Sequence, residues 1–131
     1  APQPIEGRTT LSPFIAHAIM IGDQRPFTTM LVLPDFERLI HWASERGLAV
    51  ADRGDLCRQP SVIELLEQET LGRLQDLAQF ERPRRIAVIA EELTVDSGLL
   101  TPTLKVKRRL VEHRFRSIIE SLYAGIGGGE H

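Results

Sequence analysis

Two aliphatic runs open the pattern: IAHAIMI (15–21) and FTTMLVL (27–33) flank GDQRP (22–26), where Gly22, Asp23 and Pro26 are turn formers. Runs bounded this way predict a β-hairpin with a loop of about five residues, closed by Pro34. Ahead of it, residues 4–12 read as a short first helix stopped near Pro13. After it, Asp35 is placed as the N-cap of a helix whose apolar residues Phe36, Leu39, Ile40 and Ala43 follow helical spacing, with Gly47 as its stop. ADRGDLCRQP (51–60) is polar and irregular and reads as a connection. Ser61 and Glu64 match a capping box, so a longer helix is expected from there to about Gln79. Gly72 lies inside that helix at a cost of roughly 1 kcal/mol relative to Ala, which suggests a close packing contact. RRIAVIA (84–90) is short and aliphatic and reads as a buried strand, followed by a turn at VDSG (95–98). The last helix is expected from Val106–Arg108 onward, with Val111, Phe115, Ile118, Ile119 and Leu122 as its apolar stripe.

The order β-β-α-α-β-α predicts an α+β fold: a small mixed sheet, with the hairpin at about 15–33 and a later strand at about 84–90, covered by three or four helices. A chain of 131 residues can bury one real core. The formal charge of −2 argues against general nucleic-acid binding, so no nucleic-acid partner is expected. A single cysteine, Cys57, excludes an internal disulfide. No apolar run approaches the about 20 residues of a transmembrane helix, and nothing reads as a signal peptide. The chain opens on APQPIEG without methionine, as a piece of a longer protein would, and ends in the glycine-rich GIGGGEH, expected to be disordered over 125–131.

Most of the chemistry-bearing residues read as scaffolding. His17, His41, His113 and His131 are scattered without metal-ligand spacing, so no metal site is expected. Cys57 lies in a polar stretch and is not expected to be a catalytic thiol, and Trp42 and Tyr123 fit packing positions on helices. Glu91 and Glu92 are adjacent and would point apart. The terminal glycines follow a helix rather than a strand, the wrong context for a phosphate loop.

The stretch LLTPTLKVKRR (99–109) is different. Lys105, Lys107, Arg108 and Arg109 crowd a helix start, where the partial positive charge of the backbone disfavours cations. A solvated basic helix start accounts for them at the plainest level. The sharper reading is that Pro102 stiffens the segment while Leu99, Leu100 and Leu104 anchor it. Lys105 is then held at the tip of a fixed loop as a point charge for a phosphate or carboxylate.

DSGLLTPTLKVKRRLVEHRFRSIIESLYAG resembles the end of a long-chain fatty-acid–CoA ligase, in the adenylate-forming (AMP-binding) synthetase superfamily. The similarity runs through IAHAIMIGDQRPFTTMLVLPDFERL and back to APQPIE, which resembles the start of that family's mobile C-terminal domain. The resemblance implies that residues 1–124 are a C-terminal lid domain, excised from a large N-terminal adenylation domain that is its partner. The family motif Pro-x-x-Gly-Lys, aligned at its lysine on PTLK, places the catalytic lysine at Lys105, with Leu104 in the usual glycine position, Pro102 one residue nearer than the motif's proline, and Lys107 as the fallback. The resemblance further implies that the lysine serves ATP-dependent adenylation of a fatty acid, and that another face of the domain then receives CoA for thioester formation. The hairpin loop around Asp23–Arg25 is the candidate CoA contact, with Arg25 as the residue named for it. ATP, magnesium and CoA would belong to the full-length enzyme, no cofactor to this segment, and the segment alone would be inactive. The expected location is the cytoplasm, with peripheral membrane attachment of the whole enzyme left open. Two alternatives stand beside this reading. One is a free-standing small-ligand-binding or regulatory α+β module of ferredoxin-like shape. The other is a nucleic-acid binder using Lys105, Lys107, Arg108, Arg109, Arg114 and Arg116.

Overall fold

The aliphatic hairpin forms, in a computed structural model that describes residues 2–124. Strand β1 (Ile15–Ile21) pairs antiparallel with β2 (Thr29–Pro34), Ala18 opposite Val32 and Ile21 opposite Thr29. The loop between them, 22–28, is longer than the five residues expected. A third strand, β3 (Arg85–Val88), lies parallel to β2 with Thr29 opposite Arg85, giving a mixed sheet in the order β1-β2-β3. Every residue of β2 is buried, as a central strand covered on both faces requires. β3 is less covered than expected: Arg85 is exposed and Ile86, Ala87 and Val88 are half-buried, because the strand takes the sheet edge.

The chain divides into two compact units, Ala1–Glu91 and Glu92–His131. In the first, α1 (Pro2–Thr9) ends earlier than the expected 4–12. Its Glu6 carboxylate accepts the Met20 N–H at 2.6 Å, satisfying a donor on edge strand β1. Arg8 bonds the Arg73 carbonyl at 2.9 Å and pairs with Asp76. Helix α2 (Phe36–Glu45) starts where Asp35 accepts the Arg38 N–H at 3.2 Å, and beyond it Gly47 adopts φ +71. Phe36, Leu39 and Ala43 are buried, but Ile40 is 45% exposed and falls outside the stripe assigned to it.

Residues 51–60 are not a plain connection. Asp52 accepts the Asp55 N–H at 2.8 Å and caps a helix, α3 (Arg53–Arg58), which buries Leu56 and Cys57. The expected Ser61–Glu64 capping box is also replaced. Helix α4 (Pro60–Thr70) begins on Pro60, whose missing N–H is no loss in a first turn, and Gln59 makes no side-chain cap. The helix stops well before Gln79. The Thr70 hydroxyl donates to the Leu66 carbonyl at 2.8 Å, and the chain tightens into a 3-10 turn, Leu71–Leu74. A β-carbon on Gly72 would meet the Gln68 side-chain amide at 3.1 Å, so its close contact is with the preceding turn rather than another element. Met30, Val32, Leu39, Leu56, Val62 and Leu66 form the centre of the core.

In the second unit the expected single helix is two, α5 (Arg108–Arg114) and α6 (Arg116–Tyr123), meeting at Phe115 with φ −105 and ψ 25. Hydrogen bonds from Phe115 N–H to Val111 and from Ile119 N–H to Phe115, both 3.0 Å, carry the stripe Val111, Phe115, Ile119 across the join. Those three are buried, while Ile118 is at the margin with 36% exposure. The glycine-rich stretch 125–131 lies outside the described residues.

Candidate functional site

Residues 99–107 form a small hairpin. Lys107 N–H donates to the Leu99 carbonyl at 2.9 Å, and Leu100 bridges Val106 in antiparallel fashion. Leu99 and Leu100 are buried and anchor one arm. Before them, Thr94 and Ser97 exchange side-chain and backbone bonds and Gly98 sits at φ +82, which turns the chain into that arm. At the tip, Thr101 N–H donates to the Lys105 carbonyl at 2.8 Å and Leu104 N–H to the Thr101 carbonyl at 2.7 Å. Lys105 N–H donates to the Thr101 hydroxyl at 3.0 Å, and that hydroxyl lies 3.1 Å from the hydroxyl of Thr103.

The sequence explains this geometry. Proline fixes φ at the value the second residue of a turn needs, and Pro102 occupies that place. A three-residue hairpin connection then ends in a left-handed residue, normally glycine. Here that residue is Leu104, at φ +65. Leu104 thus meets under strain a backbone requirement that glycine meets freely.

Lys105 therefore leaves a backbone bonded to Thr101 on both its N–H and its carbonyl. Its side chain is exposed, and among the described residues its ammonium has no ion pair. Lys107, also exposed, is the N-cap of α5 and makes no capping bond. The first turn of α5 carries no acidic residue to offset Arg108 and Arg109.

Arg25 lies in the hairpin loop of the other compact unit, Ala1–Glu91. In that loop Gln24 adopts φ +58, and Arg25 N–H donates to the Gly22 carbonyl at 3.1 Å. The parallel register of β3 brings further groups to the same loop. Arg84 N–H donates to the Thr28 carbonyl at 2.8 Å, the Thr28 hydroxyl donates to the Arg82 carbonyl at 3.2 Å, and the Arg84 guanidinium lies 4.7 Å from the centre of the Phe27 ring. Sequence reasoning missed Arg82, Arg84 and Phe27, because only the strand pairing places residues 82–85 beside residues 27–29.

The remaining candidates are packing groups. Burial lowers the pKa of His17 in β1 and raises that of the Cys57 thiol, which favours the neutral form of each. Among the described residues no three His, Cys, Asp or Glu side chains are grouped so as to hold a metal ion. No described helix is long and apolar enough to cross a membrane.

No family model matches the chain. Its fold is shared with adenylation domains. It superposes on the adenylation domain of a carboxylate reductase from Mycobacterium chelonae with a TM-score of 0.72 and 24% identity, over 95% of this chain and 18% of that one. It superposes on a carboxylic acid reductase didomain from Segniliparus rugosus, solved in complex with AMP, with a TM-score of 0.74 and 21% identity, over 98% of this chain and 16% of that one. Among curated proteins it is 36% identical over 129 residues to long-chain fatty-acid–CoA ligase 1 of Cavia porcellus, and 35% identical to the human protein of that name. It is 32% identical over 124 residues to a long-chain fatty-acid–CoA ligase of Mycobacterium tuberculosis. Between 94% and 96% of the chain is matched in these alignments, yet the chain spans only 18% to 21% of the relatives' length. The fold is that of a segment of these adenylation domains. The chain's homologues are long-chain fatty-acid–CoA ligases, an enzymatic family, of which it represents about a fifth.

Proposed function

We propose that the chain is the C-terminal lid domain of a long-chain fatty-acid–CoA ligase and that Lys105 is its adenylation lysine. The observation that carries this is the presentation of Lys105: an exposed cation without an ion pair among the described residues, on a tip whose backbone is tied to Thr101. In the first half-reaction a fatty-acid carboxylate oxygen attacks the α-phosphorus of ATP, and pyrophosphate leaves. Two anions approach and negative charge builds between them. A cation already positioned there offsets that charge without reorganising. The large domain would hold ATP, magnesium and the acyl chain. No group of described residues fits magnesium, so no step is assigned to it in this segment. After adenylation the domain rotates, Lys105 leaves the reacting centre, and the loop around Arg25 faces incoming CoA. On this reading the phosphate-binding elements lie in the large domain, and the chain alone should neither hydrolyse nor exchange ATP.

The test is Lys105→Ala in a full-length ligase carrying this segment. Pyrophosphate release from ATP and fatty acid should fall on the order of 10²–10³-fold, the usual loss of one well-placed charge-stabilising group. Thioester formation from pre-made acyl-adenylate and CoA should fall only a few-fold. Lys107→Ala should disturb both steps mildly. Equal losses in the two half-reactions of Lys105→Ala would make the residue a structural one. A selective loss in Lys107→Ala would move the role there.

A further inference from the structure

Leu104 is the residue at the tip that the hairpin itself does not need. Its left-handed φ of +65 pushes a β-carbon against the following carbonyl, a conformation glycine adopts freely. The hydrogen bond it gives, from its N–H to the Thr101 carbonyl, is a backbone bond that glycine would make equally. Its side chain is 65% exposed, so burial among the described residues does little to offset the strain. Its neighbours Thr101, Pro102, Thr103 and Lys105 make the rest of the tip small or polar. A strained, exposed, apolar side chain next to a functional cation points to use outside the hairpin.

We infer that Leu104 is a positioning residue for adenylation: it seats the hairpin on apolar surface of the large adenylation domain, in the same polypeptide, when the lid closes. The inference rests on the proposed role of Lys105. That partner is argued from the length of chain involved, since this segment is about a fifth of its relatives and the reacting groups must lie in the remainder. Seating the leucine fixes the depth to which Lys105 reaches and removes water beside its ammonium. A charge acts more strongly on the transition state in such a dry environment. The reacting bonds are unchanged, and the residue acts through the lysine.

The experiment compares Leu104→Gly, Leu104→Asn and Leu104→Met in the full-length ligase, each half-reaction assayed separately with fatty acids of several lengths. Gly and Asn suit the left-handed backbone but remove the apolar group. They should lower adenylation kcat on the order of tenfold, the factor that burial of one leucine's exposed area supports. Met keeps an apolar group on a strained backbone and should restore adenylation to within about twofold of the parent. Thioester formation from acyl-adenylate should be unchanged throughout, which also verifies that each variant folds. If Gly and Asn adenylate as well as the parent, activity follows backbone fit and the inference falls. A loss that grows or shrinks with fatty-acid length would mean contact with the substrate, and it too overturns seating on the large domain. Lys105→Ala, assayed in parallel, separates the two claims. If it leaves adenylation intact, the reading of the hairpin fails and Leu104 with it. If it impairs adenylation while the 104 series stays flat, only the role of Leu104 is lost.

Discussion

Replacing Leu104 by glycine and by alanine tests the geometry of the hairpin tip independently of any activity. Both variants remove the leucine branch, so both lose the same partial burial of a side chain that is 65% exposed. They differ only in the β-carbon. At an ordinary helical or extended position glycine is less stable than alanine by roughly 0.5–1 kcal/mol, because it loses more freedom on folding. In a left-handed conformation alanine carries a penalty of about 1–2 kcal/mol that glycine escapes. At φ +65 the second term outweighs the first, and Leu104→Gly should exceed Leu104→Ala by about 0.5–1 kcal/mol. For a chain of this size that corresponds to roughly 2–5 °C in Tm. Urea and thermal unfolding of the 131-residue chain, followed by circular dichroism, would measure it. Gly98→Ala supplies a control in the same compact unit. Gly98 is at φ +82 with nothing within 4 Å of an added β-carbon, so the loss there is a backbone effect alone. The prediction turns on a sign. If Leu104→Ala were as stable as Leu104→Gly or more so, residue 104 would not be left-handed in solution, and the strain argument would go with it.

Leu66 is fully buried among Val62, Leu56 and Met30, and Leu66→Ala should cost about 2–5 kcal/mol, read as a lower urea midpoint at unchanged slope. His17 gives a pH dependence. Burial in β1 lowers its folded pKa below the ordinary 6.5, so the unfolded chain binds the proton more readily. Stability is then complete above about pH 6.5 and is lost as pH falls through the folded value, and His17→Leu should flatten that part of the urea-midpoint profile.

The sheet was legible because its strands carry strong local signals. The aliphatic runs at 15–21 and 27–33 are too apolar for a surface helix, and Asp35 followed by Phe36, Leu39 and Ala43 is a capped amphipathic start. What was misread depended on weaker or competing signals. The pair Leu56–Cys57 is too short an apolar stretch to announce α3 against four charged residues in 51–60, although Asp52 was a readable cap. At α4 two start signals competed: Pro60 at the first helical position won over Ser61, since a proline there sacrifices no hydrogen bond. The edge position of β3 could not be read at all, because strand order depends on a crossover through α2, α3 and α4. For the candidate site, Pro102 already implied a turn, while the left-handed residue at 104 could be placed only through a motif in which glycine is usual. The approach of Arg84 to Phe27 depends on register between distant segments and left no local signal.

The cations at 105–109 bear on the proposed choice of Lys105 over Lys107. Cations near a helix start are disfavoured by about 0.3–1 kcal/mol each, screened by salt. In α5 His113 and Arg114 occupy the last turn, where a positive side chain is favoured, whereas Arg108 and Arg109 stand in the first. The electrostatics of the helix thus give no reason for a basic start, and with no acid in its first turn the helix dipole does not distinguish Lys105 from Lys107. Backbone geometry does. Lys107 makes no side-chain capping bond and stands at the base of the hairpin, its N–H donating to the Leu99 carbonyl and its carbonyl accepting from the Val111 N–H. Lys105 is held from both sides by Thr101, behind a proline and a left-handed residue, on a tip anchored by two buried leucines. A catalytic point charge must be fixed before the reaction, since any ordering left until then adds to the barrier. Both lysines have bonded backbones, and of the two only Lys105 stands at the tip, behind the proline and the left-handed residue. The same reasoning weakens the nucleic-acid alternative, because phosphate-backbone binding draws on many mobile cations of nearly equal weight. This chain has a net charge of −2 and sets a single exposed lysine on a backbone-bonded hairpin tip.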